Sequence, residues 1–466
     1  MTATFAVPAS IRYFLYINIS TNQIINQVKF LKWCGQALSC SKMAEGHWQI
    51  RRFKDIITSS RSGIWGDEEK GDANDIVCYR VADFDYSNLC LKFDNITYRN
   101  VLPEQANEKL LSEGDLLLEK SGGGEKMPVG RVVLVNSPQR AVCSNFIQAL
   151  SVNKKQSARF VLYLFHSIYS NRINTLFFNQ TTGIQNLKTA HYLAQEIFLP
   201  PYSEQEAIAA YLDKECEKIG RKIELLERKA DAYSRLRRSL INRAVTRGLD
   251  PNVSLKPSNI EWVGDIPVHW TISRFAYFFA EHNISNKGVN HQNLLSLSFG
   301  KIIRKNIDSC DGLLPATFET YQIVEPGNII FRFTDLQNDH KSLRVGLVNE
   351  EGIITSAYTC VQGNKETLPK FAFYMLHSYD IKKVFYKLGG GMRQSLNYRT
   401  IKDMKVVFPP IDEQKEIAVY LDEKCAKIDA ILEKINTEVE RLKELKRSLI
   451  NEVVTGQRAI ETESRS

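Results

Sequence analysis

No two of the nine cysteines form a Cys-x-x-Cys pair, and none stands at zinc-ligand spacing from a histidine. A structural zinc framework is therefore excluded, and singly placed thiols fit a reducing cytoplasm. No apolar run is long enough to span a bilayer: the stretch from Thr4 to Ile19 is interrupted by Arg12 and follows no basic segment, so it reads as neither leader nor anchor. There is no Gly-x-x-x-x-Gly-Lys-Ser/Thr phosphate loop and no glycine-rich cofactor fingerprint, which removes the usual nucleotide-driven enzymes. An excess of one charge is missing too. The 61 basic and 53 acidic residues leave +8, which suits a polyanionic partner but is far from a basic tail. What the chain does have is 466 residues at 43% hydrophobic content, enough for two or more folded cores.

The chain is written twice. LPPYSEQEAIAAYLDKECEKI (199–219) aligns without a gap on FPPIDEQKEIAVYLDEKCAKI (408–428), and the same offset of 209 carries RRSLINRAVTRG (237–248) onto KRSLINEVVTGQ (446–457). Apolar positions recur by threes and fours through Ile208, Leu212, Cys216, Ile219, Ile223, Leu226, Ala230, Tyr233, Leu236, Leu240 and Ala244. In the second copy they run through Ile417, Leu421, Cys425, Ile428, Leu432, Ile435, Val439, Leu442, Leu445, Leu449 and Val453. Each set is one stripe on a long helix, too narrow to be buried without a helical partner. The Pro-Pro pairs at 200–201 and 409–410 end the preceding strands, Ser203 and Asp412 are expected N-caps, and Gly248 and Gly456 are expected stops. Each helix should cover about 44 residues, or roughly 66 Å.

Upstream the repeat weakens but persists. HWQIRRF (47–53) resembles HWTISRF (269–275), FVLYLFHS (160–167) resembles FAFYMLHS (371–378), and GIQNL (183–187) faces MRQSL (392–396). Short β-branched and aromatic runs punctuated by Gly and Asn fill the intervening regions, which read as two diverged α+β globules. The expected plan is an N-terminal extension (1–45), a globule (46–202), a helix (203–248), a Pro- and Asn-containing linker (249–263), a second globule (264–411), a second helix (412–456) and a tail (457–466). Met43, just before the first recognisable pattern, is expected to be the natural start.

At this point the residues resemble a family. The two Pro-Pro helix openings look like the paired conserved regions of Type I restriction-modification specificity subunits, and GDIPVHW (264–270) resembles the opening of a second target recognition domain. SGIWGDEEKGD (62–72), YRVADFD (79–85), EGDLLLEKSGGGEKMPVGRVV (113–133), CSNF (143–146) and TTGIQNL (181–187) resemble one class of such domains. The resemblance covers about residues 46–457. It departs in the second globule, where FRFTDLQ (331–337) replaces the glycine loop. It implies an α+β chain with two target recognition domains separated by two long antiparallel coiled-coil helices in a pseudo-twofold repeat. It further implies double-stranded DNA, two methyltransferase subunits and restriction subunits as partners, with S-adenosylmethionine, ATP and magnesium held by those partners and none by this chain.

The residues themselves narrow the chemistry. Leu199-Pro200-Pro201-Tyr202 resembles the Asn/Asp-Pro-Pro-aromatic loop of adenine methyltransferases, but Leu199 stands where the essential polar group belongs, and its copy at Phe408 lacks it again. Glu68-Glu69-Lys70 resembles part of a nuclease motif without its Pro-Asp. No catalytic residue is assigned. Candidate DNA contacts in the first globule are Arg61, Ser62 and Trp65, the loop Lys120, Ser121, Gly122, Gly123, Gly124 and Lys126 followed by Arg131, and Thr182, Gln185 and Asn186. In the second they are Arg332, Thr334, Arg393 and Gln394. Glycine amides admit close approach to phosphate, and Gln or Asn pairs with adenine, yet the same residues also make turns and caps. The helix seam is expected at Leu212, Ile219, Ile223, Leu226 and Leu240 against Leu421, Ile428, Leu432, Ile435 and Leu449. Two rival readings stand beside the specificity subunit: a stand-alone DNA adenine methyltransferase, and a helical scaffold that binds only protein.

Overall fold

The computed structural model describes residues 47–136, 139–181, 183–289, 291–306, 317–334, 336, 343–388 and 396–460. The expected N-terminal extension, with Met43, lies outside them, as do Thr182, Arg393 and Gln394. The chain divides into two compact units, one of residues up to Leu225 together with those from Glu438 onward, the other Leu226–Thr437. Each unit thus owns one globular part and a piece of both long helices. Among the described residues no helix is long and apolar enough to cross a membrane.

The two long helices run Tyr202–Arg247 and Ile411–Val454. Each starts directly after its Pro-Pro pair, so Ser203 and Asp412 lie inside the first turn and do not cap it. The reason is a glutamine one turn further on. Gln205 Nε2 donates to Pro200 O at 2.8 Å while its Oε1 accepts from Ser157 N at 2.9 Å. Gln414 Nε2 donates to Pro409 O at 2.9 Å and its Oε1 accepts from Leu368 N at 2.8 Å. Ser157 and Leu368 are the N-caps of the buried helices Ala158–Ser170 and Pro369–Ile381, so one amide side chain joins two helix starts in each unit. Both glutamines are fully buried. Gln414→Ala should therefore cost about 1–3 kcal/mol by orphaning a buried N–H and a buried carbonyl. A lowered urea midpoint for the second unit checks this, against no change for an exposed control such as Glu416→Ala.

The helices end as expected. Gly248 and Gly456 adopt φ of +71° and +74°, a left-handed conformation that costs glycine nothing, and their N–H groups bond back to Ala244 O and Val453 O. The seam needs a correction. Leu212, Leu421, Ile428, Ile435 and Leu449 are buried, whereas Ile219, Ile223, Leu226, Leu240 and Leu432 are only half-buried. Leu236 and Leu445 face water, 45% and 50% exposed. The stripe passes instead through Arg237 and Lys446, both half-buried, Arg237 pairing with Asp429 at 3.0 Å and Lys446 Nζ donating to Ser87 O at 2.7 Å.

In the first unit a six-stranded sheet has the order Ile57–Ser62, Ile147–Val152, Leu116–Glu119, Val132–Leu134, Cys90–Leu91, Phe84–Asp85. The helix Ala158–Ser170 supplies Phe160, Leu164 and Phe165 to the core. Ile208 and Leu212 join from the first long helix, and Ile450, Val453 and Val454 from the second. A three-stranded sheet pairs Ser121–Gly122 with Ile184–Leu187, and the latter with Phe178–Thr181. The second unit gathers Phe275, Phe331, Phe371 and Met375 with Ile241 and Val245 of the first long helix and Ile417 and Leu421 of the second.

The same anchoring bonds occur in both units. Trp48 Nε1 donates to Glu204 and Trp270 Nε1 to Glu413, at 3.2 and 3.1 Å. Tyr163 bonds Asp213 at 2.8 Å and Tyr374 bonds Asp422 at 2.7 Å. Ser167 donates to Asn451 and Ser378 to Asn242. The segment expected as a linker, 249–263, is folded. Leu255–Pro257 pairs with Asp265–Pro267, Ile260 and Val263 are buried, and Lys382 Nζ donates to Trp262 O. Pro251 and Asn252 make a turn, and Pro257 ends the first of these strands.

Candidate nucleic-acid interface

The first unit carries a groove of about 860 Å³ beside the glycine loop. Pairing of Ser121 with Asn186 and of Gly122 with Gln185 brings the glycine loop onto the TTGIQNL segment. The loop is ordered: Gly124 N donates to Met127 O at 2.9 Å, and Arg172 Nη2 holds Lys126 O at 3.0 Å. Only Gly123 is held to its identity by packing, since a Cβ there would lie 2.6 Å from Val129 N.

Trp65, Ser121, Gly122, Gly123, Gly124, Lys126 and Arg131 all line this groove. Their roles differ. Lys126 is exposed. Trp65 keeps a third of its surface open, with the Arg99 guanidinium 4.5 Å from its ring centroid. Arg99 also donates to the carbonyls of Trp65 and Gly66, so the ring is fixed from behind. Ser121 Oγ donates to Asn186 Oδ1 at 2.8 Å, leaving the Asn186 amide on the surface.

Three candidates serve the fold. Gln185 is buried, and its Oε1 accepts from Val129 N at 3.1 Å, so it does not reach a base. Arg131 makes a two-pronged bond to the buried Glu119, at 2.8 and 2.9 Å. Arg61 is held by the buried Asp115 at 2.6 Å and by Ser59 and Ser151. Sequence alone offered Arg61 beside Ser62 and Trp65, and Arg131 after the glycine loop, as candidate contacts, without showing the carboxylate that each one meets. Lys120 donates to Ser62 Oγ, and burial lowers its pKa from the ordinary lysine value. With Ser60 and Gln148 they form a polar strip on the sheet. Glu68-Glu69-Lys70 is an exposed loop whose backbone is gathered by Asp75.

The sequence reading missed Arg80, Met127, Asn145 and Phe146, all lining the groove. Arg80 pairs with Asp83 at 3.0 Å and stays a third exposed. Met127 and Phe146 are 59% and 47% exposed. Phe146 stood in the quoted CSNF motif without a role; the turn-forming Ser-Asn before it is the local sign that it faces outward.

In the second unit Arg332 and Thr334 are half-buried, and the fully buried Arg344 donates to both of their carbonyls, at 3.1 and 2.7 Å. A groove of about 1450 Å³ lies along this unit's helices, lined by Arg237, Arg238, Lys301, Lys370, Phe373 and His377 among others. The hairpin Leu295–Ser298 to Lys301–Arg304 turns at Phe299, 73% exposed. The two units therefore share a frame and differ in surface.

Two mixed α/β units, each built on its own share of both long helices and each with its own groove, define a two-domain recognition protein. A family model described as the Type I restriction modification DNA specificity domain matches residues 45–229 and 345–441. Similar curated proteins include a putative MjaX specificity subunit and the MjaVIII specificity subunit of type I restriction enzymes from Methanocaldococcus jannaschii. Both are 22% identical, over 89% and 88% of this chain and 94% and 92% of theirs. In fold the chain is similar to one solved in work on complex assembly and conformational transition of the type I R-M system. The TM-score is 0.63 at 14% identity, covering 88% of this chain and 98% of that one. The chain belongs to the Type I restriction-modification specificity family: it supplies DNA sequence specificity and is not a catalytic subunit.

Proposed function

We propose that this chain reads a DNA target in two parts, the first globule taking one half-site and the second the other. Two methyltransferase subunits and the restriction subunits assemble on it in the cytoplasm, where the unpaired thiols of its described cysteines stay reduced. Methyl transfer from S-adenosylmethionine and ATP- and magnesium-dependent work belong to those partners. The two long helices form an antiparallel coiled coil relating the globules by a pseudo-twofold repeat and fixing the spacer between half-sites.

One observation carries this reading. The anchoring bonds from Trp, Gln, Tyr and Ser recur in both units, while the surfaces they hold up differ in shape and chemistry. A shared frame with divergent faces is what reading two different short sequences requires. In the first unit the groove offers cations for phosphates and exposed side chains for base edges.

The test is an exchange of residues 264–407 for the equivalent region of a related subunit, followed by methylation sequencing of the cells. One half of the target should change while the other half and the spacer persist; alteration of both halves would defeat the modular reading. Inserting four residues near Ala230, about 6 Å of helix, should lengthen the spacer by one or two base pairs at roughly 3.4 Å each. Pure chain should methylate nothing until its methyltransferase subunit is added, which separates it from a stand-alone enzyme. Loss of sequence-specific methylation on mutating the grooves separates it from a purely protein-binding scaffold.

A further inference from the structure

We infer that the turn Ser144–Ile147 reads one A·T base pair of the first half-site, Asn145 bonding the adenine edge and Phe146 covering the thymine methyl. The inference rests on the proposal that the first globule reads DNA. Ile147 N closes the turn on Ser144 O at 3.0 Å, and the Phe146 carbonyl accepts from both Lys120 N and Ser121 N, at 2.9 and 3.2 Å. Ser144 N donates to Tyr79 O, and Ser144 and Ile147 are buried. The backbone of the turn is thus pinned to neighbouring segments on both sides, while its two central side chains face water. Such a dipeptide presents its groups in one fixed direction, as base readout demands.

The chemistry of the two side chains is complementary to one pair. An Asn amide both donates and accepts, matching adenine N7 and N6, and an apolar face suits the thymine C5-methyl beside them in the major groove. The Asn145 side chain has no hydrogen-bond partner among the described residues, so its amide is available. Phe146 shares the groove with Met127 and Trp65, apolar groups set among three cations and two carboxylates, one of which, Glu119, is spent on Arg131. An exposed lysine, Lys126, beside apolar spots fits a duplex, whose phosphates flank methyl-bearing edges. The glycine loop beside the turn presents little bulk to such a partner.

The experiment uses the chain reconstituted with its methyltransferase subunit and a duplex carrying the target defined by methylation sequencing. Thymines are replaced one at a time by deoxyuridine, which removes only the methyl group. Wild type should weaken roughly fourfold at one thymine of one half-site, the worth of one buried methyl. Phe146→Ala should bind the thymine and deoxyuridine duplexes equally. Asn145→Ala should lose roughly tenfold or more in discrimination at the same base pair and leave the other half-site untouched. The inference is overturned if Phe146→Ala keeps the full deoxyuridine penalty, or if Asn145→Ala keeps its base preference everywhere. It is also overturned if Phe146→Ala abolishes assembly with the methyltransferase subunit in the absence of DNA, since the turn would then be a protein contact. Lys126→Ala distinguishes this failure from a failure of the groove itself. If it weakens all sequences alike and lowers the salt slope by about 1, the groove lies on DNA and only the base assignment fails. If Lys126, Asn145 and Phe146 are all silent, the reading of the groove as a DNA surface fails.

Discussion

Arg131→Ala should destabilise the first unit by about 3–5 kcal/mol, because it leaves the Glu119 carboxylate buried without its cation. The two bonds between these side chains are geometrically good, and the Glu119 side chain is 1% exposed. Hydrogen bonding to Glu119 raises the Arg131 pKa still further. Replacing both partners by apolar residues, Glu119→Leu with Arg131→Met, should recover most of the loss, as the desolvation penalty disappears with the charges. Urea unfolding of the two variants measures this. If Arg131→Ala unfolds like wild type but loses affinity for DNA, Arg131 is the direct contact its sequence context suggested.

The second large effect is acid sensitivity. His166 and His377 occupy matching places on the buried helices, and burial pushes each down to about 4, helped by Lys446 beside the first and Arg237 beside the second. The first is packed against Tyr86 and within reach of Ser170, and the second against Phe373. Each is neutral in the fold, whereas an unfolded histidine takes a proton near pH 6.5. The stability they permit is complete above about pH 6.5 and is lost as pH falls from there toward 4, by roughly 3 kcal/mol for each histidine at the lower limit. In the second unit Asp380 opposes this. Burial pushes its carboxyl up to about 6, so protonation on acidification favours the fold as pH falls through 6. The first unit should therefore be the more acid-labile. Urea midpoints between pH 7 and 5 check the slope, and His166→Gln should flatten it; an unchanged slope would exclude the histidine as the cause.

The long helices were legible because a stripe repeated by threes and fours, broken by Pro-Pro and glycine, is a local signal. Leu236 and Leu445 show where it fails. The helical count runs one residue further, to Arg237 and Lys446, and an eye for apolar letters picks the neighbour. Glu204 and Gln205 stood in the quoted motif without a role, since the indole, proline carbonyl and helix start they bind lie outside local view. The site divides the same way. The glycine loop meets the strand Ile184–Leu187 because strand pairing brought distant motifs together, and Trp65 lines the same groove as that loop. Gln185, Arg61 and Arg131 hold partners within the fold, which sequence does not show because polar residues look alike whether they face a base or a buried neighbour. Phe146 was given no role from sequence, because only the turn beneath it turns it outward.

The first unit draws its core from both ends of the repeat: Leu449, Ile450, Val453 and Val454 pack with Phe160, Phe165 and Leu212. During synthesis these four residues leave the ribosome some two hundred residues after the globule they complete, an interval of roughly 10–40 s at about 5–20 residues per second. The second unit is one continuous stretch, Leu226–Thr437, and has its whole core available before the last helical turns exist. The order of completion is thus the reverse of the order of translation. The half made first waits, with the apolar face of its own helix uncovered, for the final turns of the chain to arrive, and it is the half that a nascent-chain chaperone would be expected to hold.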